Sequence, residues 1–262
     1  MATGFPKEEP KVGTKGLGTV DRALDVLELA ARRGGPIALG EVASELGMSR
    51  STAHRLLVTL RRRGFVRLLP DGHRYTIGIK SFEIGATFLN VTSLRSVSFA
   101  EMEVLSEISQ ETVHLVTLEG MEIVYIEKIT SPRPYSLDTR VGSRSPAYCT
   151  AAGKAILAFL EPAALDKLLA APLKRYTPQT ITDRDLLREE LARVRGEYCA
   201  EDREEIEPNL YCVAAPILDH RREVVGAIGL AGPGARIRPR LPAYRDHVRA
   251  AARRISRSVG SS

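Results

Sequence analysis

The chain has 262 residues, 44% hydrophobic and 27% charged, a globular composition that excludes a collagen-like or low-complexity protein. No apolar run approaches the ~18 residues needed to span a bilayer, and residues 1–10 lack the apolar core of a signal peptide, so no membrane partner is expected. Three widely spaced cysteines, Cys149, Cys199 and Cys212, argue against a disulfide framework and for a cytoplasmic setting.

The net charge of +6 is not spread evenly. Residues 15–80 hold twelve Lys and Arg against six acids, whereas residues 1–14 and 81–262 are each balanced. A polyanion is therefore attracted to the first third of the chain and largely ignored by the rest.

Residues 1–16 read as a flexible tail. Val20, Ala23, Leu24, Leu27 and Ala30/Ala31 then recur at helical spacing, up to a Gly-Gly-Pro stop at residues 34–36. A short helix over 39–46 buries Val42, Ala43 and Leu46, Gly47 turns the chain, and Ser49 caps a third helix with Ala53, Leu56, Leu57 and Leu60 inward. Two strands, 65–69 and 74–78, flank the turn Pro70-Asp71-Gly72-His73. Three helices, a tight Gly turn and a hairpin make the pattern of a winged helix-turn-helix over residues 17–78. Ser49, Arg50, Ser51, His54 and Arg55 on the outer face of the third helix suit base edges in a major groove of double-stranded DNA. Arg62 and its neighbours suit phosphates, and His73 and Arg74 at the hairpin tip suit the adjoining backbone or minor groove. Neither His54 nor His73 has a Cys or second His at ligand spacing, so no metal is expected.

Residues 79–94 are apolar nearly all round, at Ile79, Phe82, Ile84, Phe88, Leu89 and Val91, and are expected to form a linker helix (residues 79–96). The remainder, 97–258, is expected to be one domain. It has a helix over 97–109 with Met102, Leu105 and Ile108 inward, and a hairpin of strands 112–118 and 123–129. Further strands are expected at 134–138, 210–217 and 224–231, and helices at 151–160, 162–170, 183–195 and 243–256. Thr182 with Asp185 resembles a capping box. The irregular alternation with hairpins predicts an α+β fold with an antiparallel sheet.

This half lacks the marks of catalysis. Gly153-Lys154 has Tyr148 where a phosphate loop needs its first glycine, and no glycine follows Ser143 or Ser145 as in a nucleophile elbow. The acidic run 201–207 does not alternate like a calcium loop. Cys212 as a nucleophile, with His114 or His220 as base, stays open as an enzymatic alternative, but nothing singles it out and no cofactor is expected.

The run Val-Gly-Ser-Arg-Ser-Pro-Ala-Tyr-Cys-Thr-Ala-Ala-Gly-Lys-Ala-Ile-Leu-Ala at 141–158 resembles the signature segment of the IclR family of bacterial transcriptional regulators. So do Arg-Gly-Glu-Tyr-Cys-Ala-Glu-Asp-Arg-Glu-Glu at 195–205 and Val-Ala-Ala-Pro-Ile at 213–217. The amino-terminal pattern, from Thr-Val-Asp-Arg-Ala-Leu at 19–24 to Tyr-Thr-Ile-Gly at 75–78, is similar to the same family, so the resemblance covers about residues 17–257.

The resemblance implies an N-terminal winged helix-turn-helix, a linker helix and a C-terminal GAF/PAS-like effector domain, assembled as homodimer or homotetramer. It implies a pocket between the sheet and the helix after the signature, with Ala151 and Ala152 at the helix edge, Leu137 nearby, and Asp202, Leu210 and Cys212 on the sheet side. Arg144, Tyr148 and Cys149 are further candidates from the signature. The first amides of that helix would receive a carboxylate. Asp202 would repel it unless Asp202 is protonated or Arg144 lies nearby. Where the family's small-acid sensors carry two serines, this chain has Gly229 and Ala231, which implies a more apolar pocket and an aromatic or otherwise larger acid. The expected function is a sequence-specific DNA-binding regulator whose operator binding is modulated by a small organic acid; the alternative is an architectural DNA-binding protein that takes no ligand.

Overall fold

The computed structural model describes residues 18–91, 93–134, 137 and 139–259, with residues 87–91 and 93 by backbone alone. The expected tail at 1–16 lies outside them. The chain divides into two compact units, Met1–Val91 and Thr92–Ser262.

The first unit runs α1 (Gly18–Arg33), β1 (Ile37–Ala38), α2 (Leu39–Glu45), α3 (Arg50–Arg62), β2 (Val66–Leu68), β3 (Arg74–Ile77) and α4 (Ile79–Val91). Gly47 turns the chain between α2 and α3 at φ +58°, a conformation that costs glycine nothing. β2 and β3 form the wing, and β1, which the sequence pattern was too short to reveal, pairs with β3 at Ile37↔Tyr75. Gly78 closes the wing against the end of α3, where an added Cβ would lie 2.2 Å from the Gly64 carbonyl oxygen. The core gathers Val26, Leu29, Val42, Ala53, Leu57 and Val66. The inner face of α1 is thus Val26, Leu29 and Ala30, with Val20 and Leu24 about half exposed, contrary to the expected stripe. The helix carries two apolar stripes, and spacing alone does not choose between them.

The second unit begins with α5 (Ser93–Ser109), β4 (Thr112–Glu119), β5 (Glu122–Ile129), β6 (Arg144–Pro146) and α6 (Ala151–Leu157). It continues through α7 (Pro162–Leu168), α8 (Arg184–Glu197), β7 (Ala200–Arg203), β8 (Leu210–Leu218), β9 (Val224–Pro233), α9 (Gly234–Ile237) and α10 (Leu241–Ser258). Among the described residues six strands form one antiparallel sheet in the order β6-β5-β4-β9-β8-β7. Alternation along the strands splits its side chains between two faces. Val113, Leu115, Val213, Ile228 and Leu230 pack with Met102 and Leu105 of α5 and Tyr244, Val248 and Ile255 of α10. Val116, Ala214 and Ala227 pack with Ile156 and Leu157 of α6 and Leu187 and Leu191 of α8.

Several expectations need correction. α4 is described as far as Val91, and Leu94, expected within the linker helix, lies in α5 and is buried with Met102. On α5 Ile108 faces outward and Ser109 inward. Of the expected strand at 134–138, residues 135, 136 and 138 lie outside the described ones, while Pro134 and Leu137 are not in a strand. The cap of α8 is Asp183, whose Oδ1 accepts the N–H groups of Asp185 (2.9 Å) and Leu186 (3.0 Å); Thr182 instead accepts from Arg175. β7 escaped the pattern because two of its inward residues, Glu201 and Asp202, are acids.

Candidate functional site

Two regions carry polar groups unlike the packing around them. The first is the outer face of α3. Ala53, Leu56, Leu57 and Leu60 hold the helix against its unit, which turns Arg50, Ser51, His54, Arg55 and Arg61–Arg63 to solvent. Ser49 Oγ accepts the Thr52 N–H (3.1 Å) and meets the Thr52 hydroxyl (2.9 Å), so its side chain caps the helix and leaves Ser51 as the free hydroxyl at that end. At the wing tip Asp71 accepts the N–H groups of His73 (3.0 Å) and Arg74 (3.1 Å) and the Arg74 Nε–H (2.6 Å). The His73 amide and the Arg74 guanidinium hold the Asp71 carboxyl down at about 2, so the turn keeps this form across the physiological range. His73 and Arg74 remain exposed. Arg33 ties α1 to α2 through Glu41 (3.4 Å) and Glu45.

The second region is a cavity of about 180 Å³ in the second unit, between the sheet and the start of α6. Its sheet side is His114, Tyr125, Asp202, Cys212, Gly229 and Ala231; Thr150, Ala151 and Ala152 form the helix side, with Leu137, Thr139, Ile206 and Leu210 around the rim. Thr150 caps α6 by accepting the Gly153 N–H (3.3 Å) and donates to the Pro146 carbonyl (3.0 Å). The first amides of a helix have no acceptor inside it, so those of Ala151 and Ala152 are left at the cavity wall. Gly153 is the only residue type that fits below them, because an added Cβ would meet the Ala147 carbonyl oxygen at 2.1 Å.

Burial governs the titration of this site. Asp202 is fully buried; its Oδ1 accepts the Glu205 N–H (2.7 Å) and, among the described residues, its Oδ2 has no hydrogen-bond partner. Desolvation, with the Glu205 charge adding to it, lifts Asp202 to about 7. His114 Nε2 pairs with the Thr139 hydroxyl (2.8 Å), and burial and the Lys128 charge push it down to about 3, so the ring is neutral. Burial raises Tyr125 to about 12, and burial and Asp202 hold the Cys212 thiol well above its ordinary value. Beneath the cavity the fully buried Lys154 ammonium donates to Glu205 and, at 3.5 Å, to Glu190.

Of the residues singled out from the sequence, Leu137, Ala151, Ala152, Asp202, Leu210, Cys212, Gly229 and Ala231 come together on this cavity. Three do not. Arg144 is half exposed and pairs with Glu122 (3.3 Å), because β6 turns it to the outside. Tyr148 donates to the Lys174 carbonyl (2.6 Å), and Cys149 sits in the core behind the cavity. Gly229 also differs from a simple loss of a hydroxyl: a Cβ there would lie 2.7 Å from the Val213 carbonyl oxygen, so β9 approaches β8 too closely for a side chain. His114, Tyr125, Thr139 and Ile206 were missed, and of these only His114, on the inward register of a hairpin, had a local signal.

Comparison with known proteins matches residues 86–257 to the family described as bacterial transcriptional regulator IclR C-terminal and residues 19–70 to the IclR helix-turn-helix domain. The HTH-type transcriptional regulator XynR of Escherichia coli is 32% identical over 92% of this chain and 97% of its own. The crystal structure of the Thermotoga maritima IclR superposes with TM-score 0.79 at 32% identity, covering 93% of this chain and 99% of that one. An IclR homolog from Microbacterium hydrocarbonoxydans, complexed with 4-hydroxybenzoate, superposes with TM-score 0.83 at 25% identity over 93% and 100%.

Proposed function

The chain belongs to the IclR family of bacterial transcriptional regulators, and on that premise we propose that its second unit senses a ring-sized organic acid that changes the first unit's grip on DNA. It is a DNA-binding regulator with an α+β fold. Arg50, Ser51, His54 and Arg55 read base edges, Arg62 meets phosphates, and His73 and Arg74 touch the backbone beside the wing. The effector's carboxylate lies on the amides of Ala151 and Ala152, its body against Leu137, Leu210, Cys212, Gly229 and Ala231, and its far end at Asp202. The assembly is a homodimer or homotetramer in the cytoplasm, drawing on exposed apolar residues such as Val20 and Leu24 of α1 and Ile79 and Phe82 of α4.

The observation that carries the proposal is the cavity itself. Its volume is close to the ~150 Å³ that accommodates a benzene ring, yet helix amides and an unpartnered carboxyl oxygen line it. A relative of this fold holds 4-hydroxybenzoate. An enzymatic role for Cys212 has no support in the electrostatics. Its thiol is held protonated and His114 is held neutral, the reverse of a thiolate–imidazolium pair. Calorimetric titration with 4-hydroxybenzoate, benzoate and glyoxylate tests the proposal. The ring acids are expected to bind and glyoxylate weakly or not at all; glyoxylate binding alone would contradict it.

A further inference from the structure

A carboxylate entering this cavity meets a second buried carboxyl group, and the cations near it among the described residues already have partners. Asp202 of β7 lines the cavity, fully buried, and its Oδ2 has no hydrogen-bond partner among the described residues. Among the described residues, the elements packed around it supply neutral side chains, further acids or cations that already have partners. Across the sheet stands Cys212 of β8, its register partner, and beyond lie Tyr125 of β5 and His114 of β4. The loop after β7 brings Glu205 and Glu207, and Cys149 lies ahead of α6. Lys154 of α6 is shared between Glu205 and Glu190 of α8. Lys128 of β5 donates to the carbonyls of Leu137 (3.0 Å) and Thr139 (2.8 Å), and Arg144 pairs with Glu122 outside.

Two anions in one desolvated space repel strongly, whereas a protonated carboxyl is neutral and adds an O–H donor. We propose that the acid effector binds together with one proton, taken from solvent and held on Asp202 Oδ2, which then donates to the effector. The cavity therefore reads acid and pH jointly. This rests on the effector site proposed above and adds its regulation. Burial has already lifted Asp202 to about 7, so the proton is largely in place at pH 6 and must be taken up at pH 8. Below pH 6 the linkage flattens; above 7 each further unit costs ~tenfold in affinity.

The test is calorimetry of the full chain with 4-hydroxybenzoate, and with benzoate and glyoxylate in parallel, at pH 6 and 8 in phosphate and in Tris. Ordinary phenol and carboxylic acid groups titrate outside that range. For wild type the expected result is ~tenfold weaker binding at pH 8 than at pH 6 and, at pH 8, an enthalpy that changes with buffer by the uptake of about one proton. Asp202→Asn, which keeps a donor and loses the ionisable group, is expected to bind with the same affinity at both pH values and no proton uptake. Tight wild-type binding without proton uptake, or uptake that persists in Asp202→Asn, would overturn this inference and leave the effector site standing. Failure of all three acids to bind at either pH would overturn both.

Discussion

The two units use charge in opposite ways. In the first, the arginines of α3 stand in water on a small apolar scaffold, while the Arg74–Asp71, Arg33–Glu41/Glu45 and Lys80–Glu83 pairs brace the wing and helices. In the second, Lys154, Glu205, Asp202, Glu201 and Glu111 are buried within the fold. Exposed charge costs the fold little and is available to a polyanion at once. Buried charge must be paired or neutralised, so it couples stability, protonation and ligand binding.

The sharpest way to break this contrast is to remove a buried partner. Lys154→Ala leaves Glu205 buried without its ammonium and is expected to destabilise the second unit by about 3–5 kcal/mol in denaturant unfolding. A loss below 1 kcal/mol would mean that water reaches the site. Asp202 works in the other direction. Its folded value, about 7, lies above its unfolded one, so its contribution to stability is full below about pH 4 and is lost as pH rises toward 7. Asp202→Asn is therefore expected to gain about 2 kcal/mol on wild type between pH 5 and 7, with a constant difference above pH 8. Parallel stability–pH curves would contradict the buried carboxyl.

On the exposed side the effects are on binding rather than folding. Arg55→Ala is expected to weaken operator binding by ~1–3 kcal/mol and relax base preference at one position, with an unchanged thermal midpoint. Competition assays against single-base operator variants read this directly. Ser49→Ala removes the cap of α3 and should lower stability by about 1 kcal/mol, with weaker DNA binding following from the frayed helix. Arg62→Ala has the smallest effect, a uniform weakening with the slope of log K against log salt reduced by about 1.

The same contrast explains what the sequence disclosed. The helix-turn-helix was legible because its signals are local: Ala53, Leu56, Leu57 and Leu60 repeat at helical spacing along α3, and Gly47, Ser49 and Gly64 mark the ends. The cavity was legible only where the family resemblance supplied residues, as at Ala151 and Cys212. His114, Tyr125 and Thr139 reach it from strands and loops far apart in the chain, and no spacing joins them. Arg144 was misplaced for the same reason, since the pairing of β6 with β5, not its neighbours in sequence, decides which way it points. β7 was missed because buried acids mimic a surface loop when read along the chain.

An acid in the cavity is expected to change how the arginine face holds DNA. Fluorescence anisotropy on a duplex selected by this protein, with and without saturating 4-hydroxybenzoate, tests it most directly when Ala231→Leu, which fills the cavity, is measured alongside. At least a fivefold change in Kd is expected for wild type and none for Ala231→Leu. Equal Kd values for wild type with and without an acid that calorimetry shows to be bound would contradict it.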